Sequence, residues 1–377
     1  MSEPVEFLTV QNRKQPNYKL RFILLILAAA ACILLSFVVG RFSINMVDVL
    51  QILASAFLSA IYGSISYLLS PFPDIQNTFL SILSRFIVSV DTWDYARYSV
   101  VINISLPRIL AALLVGAALS TAGAAYQGMF QNPLVSPDIL GASAGAGFGA
   151  CLAIYLSLGS GMVTILAFAG GLIAVLVAYV VSRLTKGSAT LSMVLAGILV
   201  GSLFSASTSY IKLVADTNEQ LPAITYWLMG SLAGATMNDV IFAGIIIILG
   251  TLPIFLLRWR MNVLTLGEDE AKSMGVNTNR LRFVVIVCAT LITAVAVSIS
   301  GIIGWVGLVI PHFCRMLFGY DYRRIIPAAI IMGGGFLLLV DDVSRTIATT
   351  EVPIGILTAF IGAPIFANLL MMGGKRS

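Results

Sequence analysis

The sequence predicts an all-α polytopic membrane protein with about ten transmembrane helices. Three observations predict it. Hydrophobic residues make up 59% of the 377 positions and charged residues only 10%, against roughly 25% charged in soluble domains. Apolar stretches near the roughly 20 residues that cross a bilayer as a helix recur along the chain. The 22 Lys and Arg residues gather on one side of the resulting zigzag, and that asymmetry sets orientation.

The stretches are 20–40, 105–128, 138–158, 160–184, 189–212, 238–257, 281–300, 303–318, 323–341 and 353–371. An even number puts both termini on one side. With the termini in the cytoplasm, sixteen of the 22 basic residues face inward, including Arg13, Lys14, Arg258, Arg260, Arg280, Arg282, Lys375 and Arg376. Arg41, Arg85, Arg97, Arg108, Lys212 and Arg345 remain outside. The opposite orientation violates the positive-inside rule, and an odd count strands one basic terminus. The first run continues past Cys32 to Gly40, too long for a signal-peptide core, and reads as an uncleaved span.

Segment 43–104 is the long extracytoplasmic connection. It holds two apolar patches, 47–69 and 79–90, on either side of Pro71 and Pro73. They read as amphipathic helices on the membrane surface; the rival reading pairs them as two further spans. Cys32, Cys151, Cys288 and Cys314 lack metal-ligand or disulfide-framework spacing and read as small apolar residues. Glycines crowd 141–147, 170–171 and 333–335. Small residues let helix backbones approach closely where lipid supplies little hydrophobic drive. Residues 118–123 (ALSTAG) echo 296–301 (AVSISG), and each copy is followed by a Pro and a Gly-rich stretch. The two spans run oppositely in this topology, a weak inverted repeat of the kind found in transporters.

Residues 264–276, LTLGEDEAKSMGV, break the apolar pattern. Glu268, Asp269 and Glu270 cannot lie in hydrocarbon. Region 264–280 therefore reads as cytosolic, with a short helix. Gly267, Ala271 and Gly275 fall four apart, so a helix presents them as one small-residue face on which a partner's pocket could close.

Several chemistries find no residues. His312 stands alone as a histidine and reads as structural. No span reads as carrying paired carboxylates facing a core, or the buried Asp, Glu and Lys pairs of an ion-coupled carrier. That weighs against both a membrane enzyme and an ATP-independent secondary carrier. The nearest approach to a Walker A loop, GEDEAKS at 267–273, lacks the Gly before Lys272, and its acids repel phosphate. No catalytic, cofactor or metal site is expected in this chain; ATP and Mg belong to another subunit. Nucleic acid is not an expected partner.

The blocks LPR at 106–108, ALLVGAALSTAGAAYQGMFQNPLVSPDILGASAGAGFGA at 112–150, LGEDEAKSMGV at 266–276 and GWVGLVIPHFCR at 304–315 then carry a resemblance. DYRRIIP at 321–327, DVSR at 342–345, EVPIG at 351–355 and GAP at 362–364 complete it. In this order they resemble FecCD-type permeases, membrane subunits of type II ABC importers for iron-siderophores, haem and cobalamin. The resemblance covers about 106–370 within a single permease domain, 1–377. It implies a homodimer or a pair with a paralogue, two cytosolic ATPase subunits and an extracytoplasmic substrate-binding protein. The implied setting is the cytoplasmic (inner) membrane. It assigns ATPase coupling to Gly267, Glu268, Ala271, Met274 and Gly275. Docking of the binding protein falls to Arg108 and Arg345, for which snorkelling toward water is the alternative. Ser105 replaces the additional arginine common before the LPR motif. Ser205 and Thr208 match the pathway-lining helix, where hydroxyls bonded to their own backbone are the alternative. An iron-siderophore is the first expected cargo, with haem or cobalamin next.

Overall fold

A computed structural model describes residues 17–40, 44–69, 95–185 and 189–373. Thirteen helices and no strand occur among the described residues. In order they are α1 (Tyr18–Val38), α2 (Met46–Leu69) and α3 (Tyr95–Met129, with a π-helical stretch at Val100–Ser105). After a 3₁₀ turn at Pro137–Leu140 come α4 (Ala142–Tyr155), α5 (Ser160–Leu184), α6 (Ala189–Val214) and α7 (Gln220–Met229). Then follow α8 (Met237–Leu264), α9 (Glu268–Ser273), α10 (Thr278–Ser300), α11 (Val306–Phe318), α12 (Tyr322–Thr346) and α13 (Ile354–Gly373).

Every expected span contains a helix, but not all are full-length. Among the described residues, seven helices (α1, α3, α5, α6, α8, α10 and α12) are long and apolar enough to cross a membrane. Stretch 138–158 resolves into the 3₁₀ turn and a 14-residue helix, and 303–318 into a 13-residue helix. At 1.5 Å per residue such helices reach only about 20 Å of a roughly 30 Å core. Gly141, at φ 82°, lets the chain turn from the 3₁₀ segment directly into α4. Helix α2 packs on α1 and the start of α3, with Val49 and Ile52 buried. The second apolar patch, 79–90, lies outside the described residues.

The centre of the bundle is α3, which packs on α12, α10, α8 and α11. Gly116 of α3 meets Gly333 of α12 so closely that a Cβ on either would overlap the other's carbonyl oxygen. A Cβ on Gly123 would overlap the Gly307 carbonyl oxygen of α11, and one on Gly307 would strike Pro137 and the Leu119 carbonyl oxygen. Backbones in contact bring dispersion and polar groups within reach. The Ser120 hydroxyl accordingly donates across the crossing to the Ala329 carbonyl at 2.7 Å. Peripheral α1 leaves Leu20, Ile23, Leu24 and Leu27 exposed, the face a bilayer covers.

An order of long, short, long, long helices occurs twice. The helical lengths are 24 (from Leu106), 14, 25 and 26 residues for α3–α6, then 23, 13, 25 and 20 for α10–α13. The 118–123 and 296–301 echo sits mid-helix in α3 but at the C-terminal end of α10. The order of helix lengths recurs, while the six-residue echo does not fall at matching helix positions.

Candidate functional site

The break between α8 and α10 is built from two turns and a short helix. Gly267 adopts φ 134° and Gly275 φ 78°, conformations that side chains rarely adopt. A Cβ on Gly267 would also strike the Glu270 carboxylate. Between these turns, α9 lies with Ala271 fully buried against its own chain, close to buried Leu264 and Val276. The Val276 amide donates to the Ala271 carbonyl at 3.0 Å, closing the turn. Of the three small residues, Ala271 alone faces inward; Gly267 is half-buried, and Gly275 is exposed with open space around it and serves the turn through its backbone conformation. Ala271 does not sit on an outward small-residue face, and the outward side instead presents Leu266, Asp269, Ser273 and Met274.

Glu268 pins α9 to α10. Its carboxylate pairs with Arg282 at 3.0 Å and with Lys272 at 3.3 Å. Burial alone pushes this carboxyl up, but the Arg282 and Lys272 charges outweigh it and hold it below the usual glutamate range. With a lowered folded-state pKa, the clamp's contribution is fully present above the ordinary value near ~4.3 and fades as pH falls through the depressed one. The protection factors of the Ala271 and Val276 amides, that is, their exchange rates relative to the unstructured chain at the same pH, are therefore expected to stay flat from neutral pH down to about 5 and to fall below about 4. Glu268→Gln should give low protection already at neutral pH; an unchanged protection profile would refute the clamp.

At the opposite end of α3, Arg108 and Arg345 lie inside the protein, 6% and 8% exposed. Arg108 Nε donates to Asp341 at 3.0 Å, while its Nη atoms reach Glu351 Oε1 and Oε2, both at 3.0 Å. Arg345 Nε lies 3.3 Å from Asp341 Oδ2, and Nη2 donates to Ser36 Oγ at 2.8 Å and to Asp342. This cluster ties α1, α3, α12 and the segment before α13 together. It corrects two expectations. The arginines do not form an open basic surface, because three carboxylates already engage them. Nor do the spans lack paired carboxylates: Asp341 is fully buried and Asp342 nearly so. Neither buried acid stands alone, as a burial cost of several kcal/mol per unpaired ion requires.

On α6, the Thr208 hydroxyl donates to the Phe204 carbonyl at 3.0 Å, and Ser207 and Ser209 bond to their own helix likewise. Thr208 is half-buried. Ser205 borders a cavity of about 510 Å³, together with Asp138, Gly141, Gly197, Gly201 and Ser202. The 3₁₀ turn delivers Asp138 to this cavity, where the Ser143 hydroxyl donates to its carboxylate. Asp138 is the charged residue in the lining. Sequence reading passed over it, although it is the first residue of the predicted span 138–158, directly after Ser136–Pro137.

A bundle of membrane-length helices with a clamped polar helix at one end and a cavity at a helix-breaking turn defines a membrane transport subunit. The chain belongs to the FecCD transport family, which it matches over residues 75–372. It is therefore an ABC importer permease of the FecCD type, a multi-pass membrane protein and a transport component. It is 40% identical over 279 residues to the molybdate import system permease protein of Haemophilus influenzae, covering 74% of this chain and 82% of that one. A Helicobacter pylori protein described as an iron chelatin transport system permease is 42% identical over 271 residues, covering 72% and 82%. The fold superposes on a structure described as a metal-chelate type ABC transporter in an inward-facing conformation. The TM-score is 0.77 with 33% identity, covering 94% of this chain and all of that one. Family membership, rather than missing intramembrane charge, sets the secondary-carrier reading aside.

Proposed function

We propose that the chain conducts a metal chelate, an iron-siderophore first, into the cytoplasm as the permease of an ATP-driven importer. An extracytoplasmic substrate-binding protein delivers the chelate to a mouth shared by two permease copies, or by this chain and a paralogue. Two cytosolic ATPase subunits bind ATP and Mg and press on α9 through Leu266, Asp269 and Met274. Glu268, Ala271, Gly267 and Gly275 hold that helix in place. Both termini lie in the cytoplasm. Arg108 and Arg345 fix the shape of the outer rim on which the binding protein sits.

The observation that carries the cargo class is the lining of the 510 Å³ cavity: one carboxylate, hydroxyls, glycine backbone and no basic side chain. A dianion such as molybdate meets repulsion from Asp138 and no compensating cation. A chelate whose charge is neutralised by its own ligands meets hydroxyls and a pliant glycine wall. Haem and cobalamin fit the same reasoning and form the second reading.

The test is competitive uptake in vesicles holding this chain, its ATPase and its binding protein. Labelled ferric siderophore should accumulate with ATP and not without it, and molybdate should not compete. Molybdate uptake at comparable rates would overturn the cargo class, while uptake of haem or cobalamin alone would replace the first reading by the second.

A further inference from the structure

Arg315, near the end of α11, is 9% exposed, and no described carboxylate pairs with it. Asp321, the acid nearest along the chain, accepts from Asn262 at 2.6 Å and faces Arg324 at 3.9 Å instead. The neutral Tyr322 hydroxyl is within reach of Arg315 as a hydrogen-bond partner, but a buried charge without an opposite charge still costs several kcal/mol. Its Nη2 has no hydrogen-bond partner. The guanidinium borders a cavity of about 330 Å³ shared with Gln127, Asn132, Thr265, Tyr320 and Tyr322. No acid lines this cavity.

The remaining polar atoms narrow the occupant. Gln127 Nε2 donates to the Val135 and Leu308 carbonyls, at 3.2 and 3.3 Å, which leaves its buried Oε1 an acceptor without a donor. Asn132 Oδ1 accepts from the Leu134 amide at 2.9 Å, so its amide nitrogen remains available to donate. The site thus asks for negative charge beside Arg315 and for one O–H directed at Gln127. Halides lack the O–H, and sulfate carries no acid proton at neutral pH. A protonated phosphate has both, and so does the phosphate of a phosphatidylglycerol headgroup with its adjacent glycerol hydroxyls. We propose that the Arg315 cavity binds a phosphate oxyanion that presents a hydroxyl to Gln127. Bound there, it joins the turn after α3, through Asn132, to the α11–α12 corner and to Thr265, which precedes α9.

The test uses the full chain in nanodiscs of zwitterionic lipid, with inorganic phosphate as the probe. Phosphate should raise the melting midpoint by about 2–4 °C, sulfate by less, and Arg315→Gln should abolish the rise. Asn132→Asp, an exposed change that puts a carboxylate at the cavity, gives an independent variant and should also weaken binding. A response to phosphate assigns a free oxyanion. A response only when phosphatidylglycerol replaces part of the lipid, with retained headgroup seen by native mass spectrometry, assigns the lipid source. The proposal falls if neither probe acts, if Arg315→Gln or Asn132→Asp responds like the natural chain, or if stabilisation appears only on adding the ATPase subunit. In the last case a partner carboxylate meets the charge.

Discussion

Asp341→Ala should cost about 3–5 kcal/mol of stability, the loss expected when one member of a buried ion cluster is removed. The acid is fully buried and faces both Arg108 and Arg345. Its removal leaves two guanidinium groups short of charge in a setting where water cannot replace it. The measurement is the denaturation midpoint of detergent-solubilised protein, alongside Arg108→Ala and Ser36→Ala. Arg108→Ala should fall nearly as far, since Asp341 and Glu351 then lose a shared partner. Ser36→Ala removes hydrogen bonds to the Arg345 guanidinium and the Asp342 carboxylate but leaves every ion paired, and should cost about 1.5–3 kcal/mol, less than either ion deletion. If Arg108→Ala instead keeps full stability and only loosens attachment of the binding protein, the arginine acts as a surface contact and the buried-cluster account is wrong.

Ala271→Arg should abolish ATP-driven uptake, by at least about tenfold, while the bundle stays assembled. Overpacking costs typically about 1–3 kcal/mol, and about 1.4 kcal/mol already corresponds to a tenfold change in an equilibrium. The side chain enters a space with no exposure beneath α9, so the helix must lift from α8 and α10. Met274→Ala is the contrasting change. Met274 is 61% exposed, so its truncation should leave the exchange protection of 264–277 unchanged and weaken only the association with the ATPase. Full uptake by Ala271→Arg would show that the position of α9 is irrelevant to transport. Loss of protection in Met274→Ala would show that the outward face is wrongly assigned.

The helices were legible because membrane solvent makes the demand uniform: an apolar run must satisfy its backbone internally. Stretch 20–40 became Tyr18–Val38, and 160–184 became Ser160–Leu184. Helix α7 escaped notice because its ten residues fall well short of a span. Direction was harder to read than periodicity. The spacing of Gly267, Ala271 and Gly275 identifies one side of a short helix, but nothing local says whether that side meets a partner or its own chain. The partner of Arg108 was harder still. Asp341 lies 233 positions away in sequence, and only the crossing of α3 with α12 brings the two together. Hydropathy counts charges along a line; it does not see that two of them cancel across a helix pair.

The glycine contacts between α3 and α12 carry a mechanical consequence. Where backbones touch, there is no side-chain cushion to absorb a shear, and sliding would drive carbonyl oxygens into one another. The two helices meet backbone to backbone at Gly116–Gly333, and the expected response to a load is that they tilt together, as a single beam. One end of that beam holds Arg108, the other Gln127, about 28 Å apart along a regular helix. On the orientation proposed above, a push near the start of α12 is expected to reach the Arg108 end as a rotation about this contact and not as a local dent. If the proposed transport cycle holds, the two ends of this beam should move together, as the arms of a seesaw.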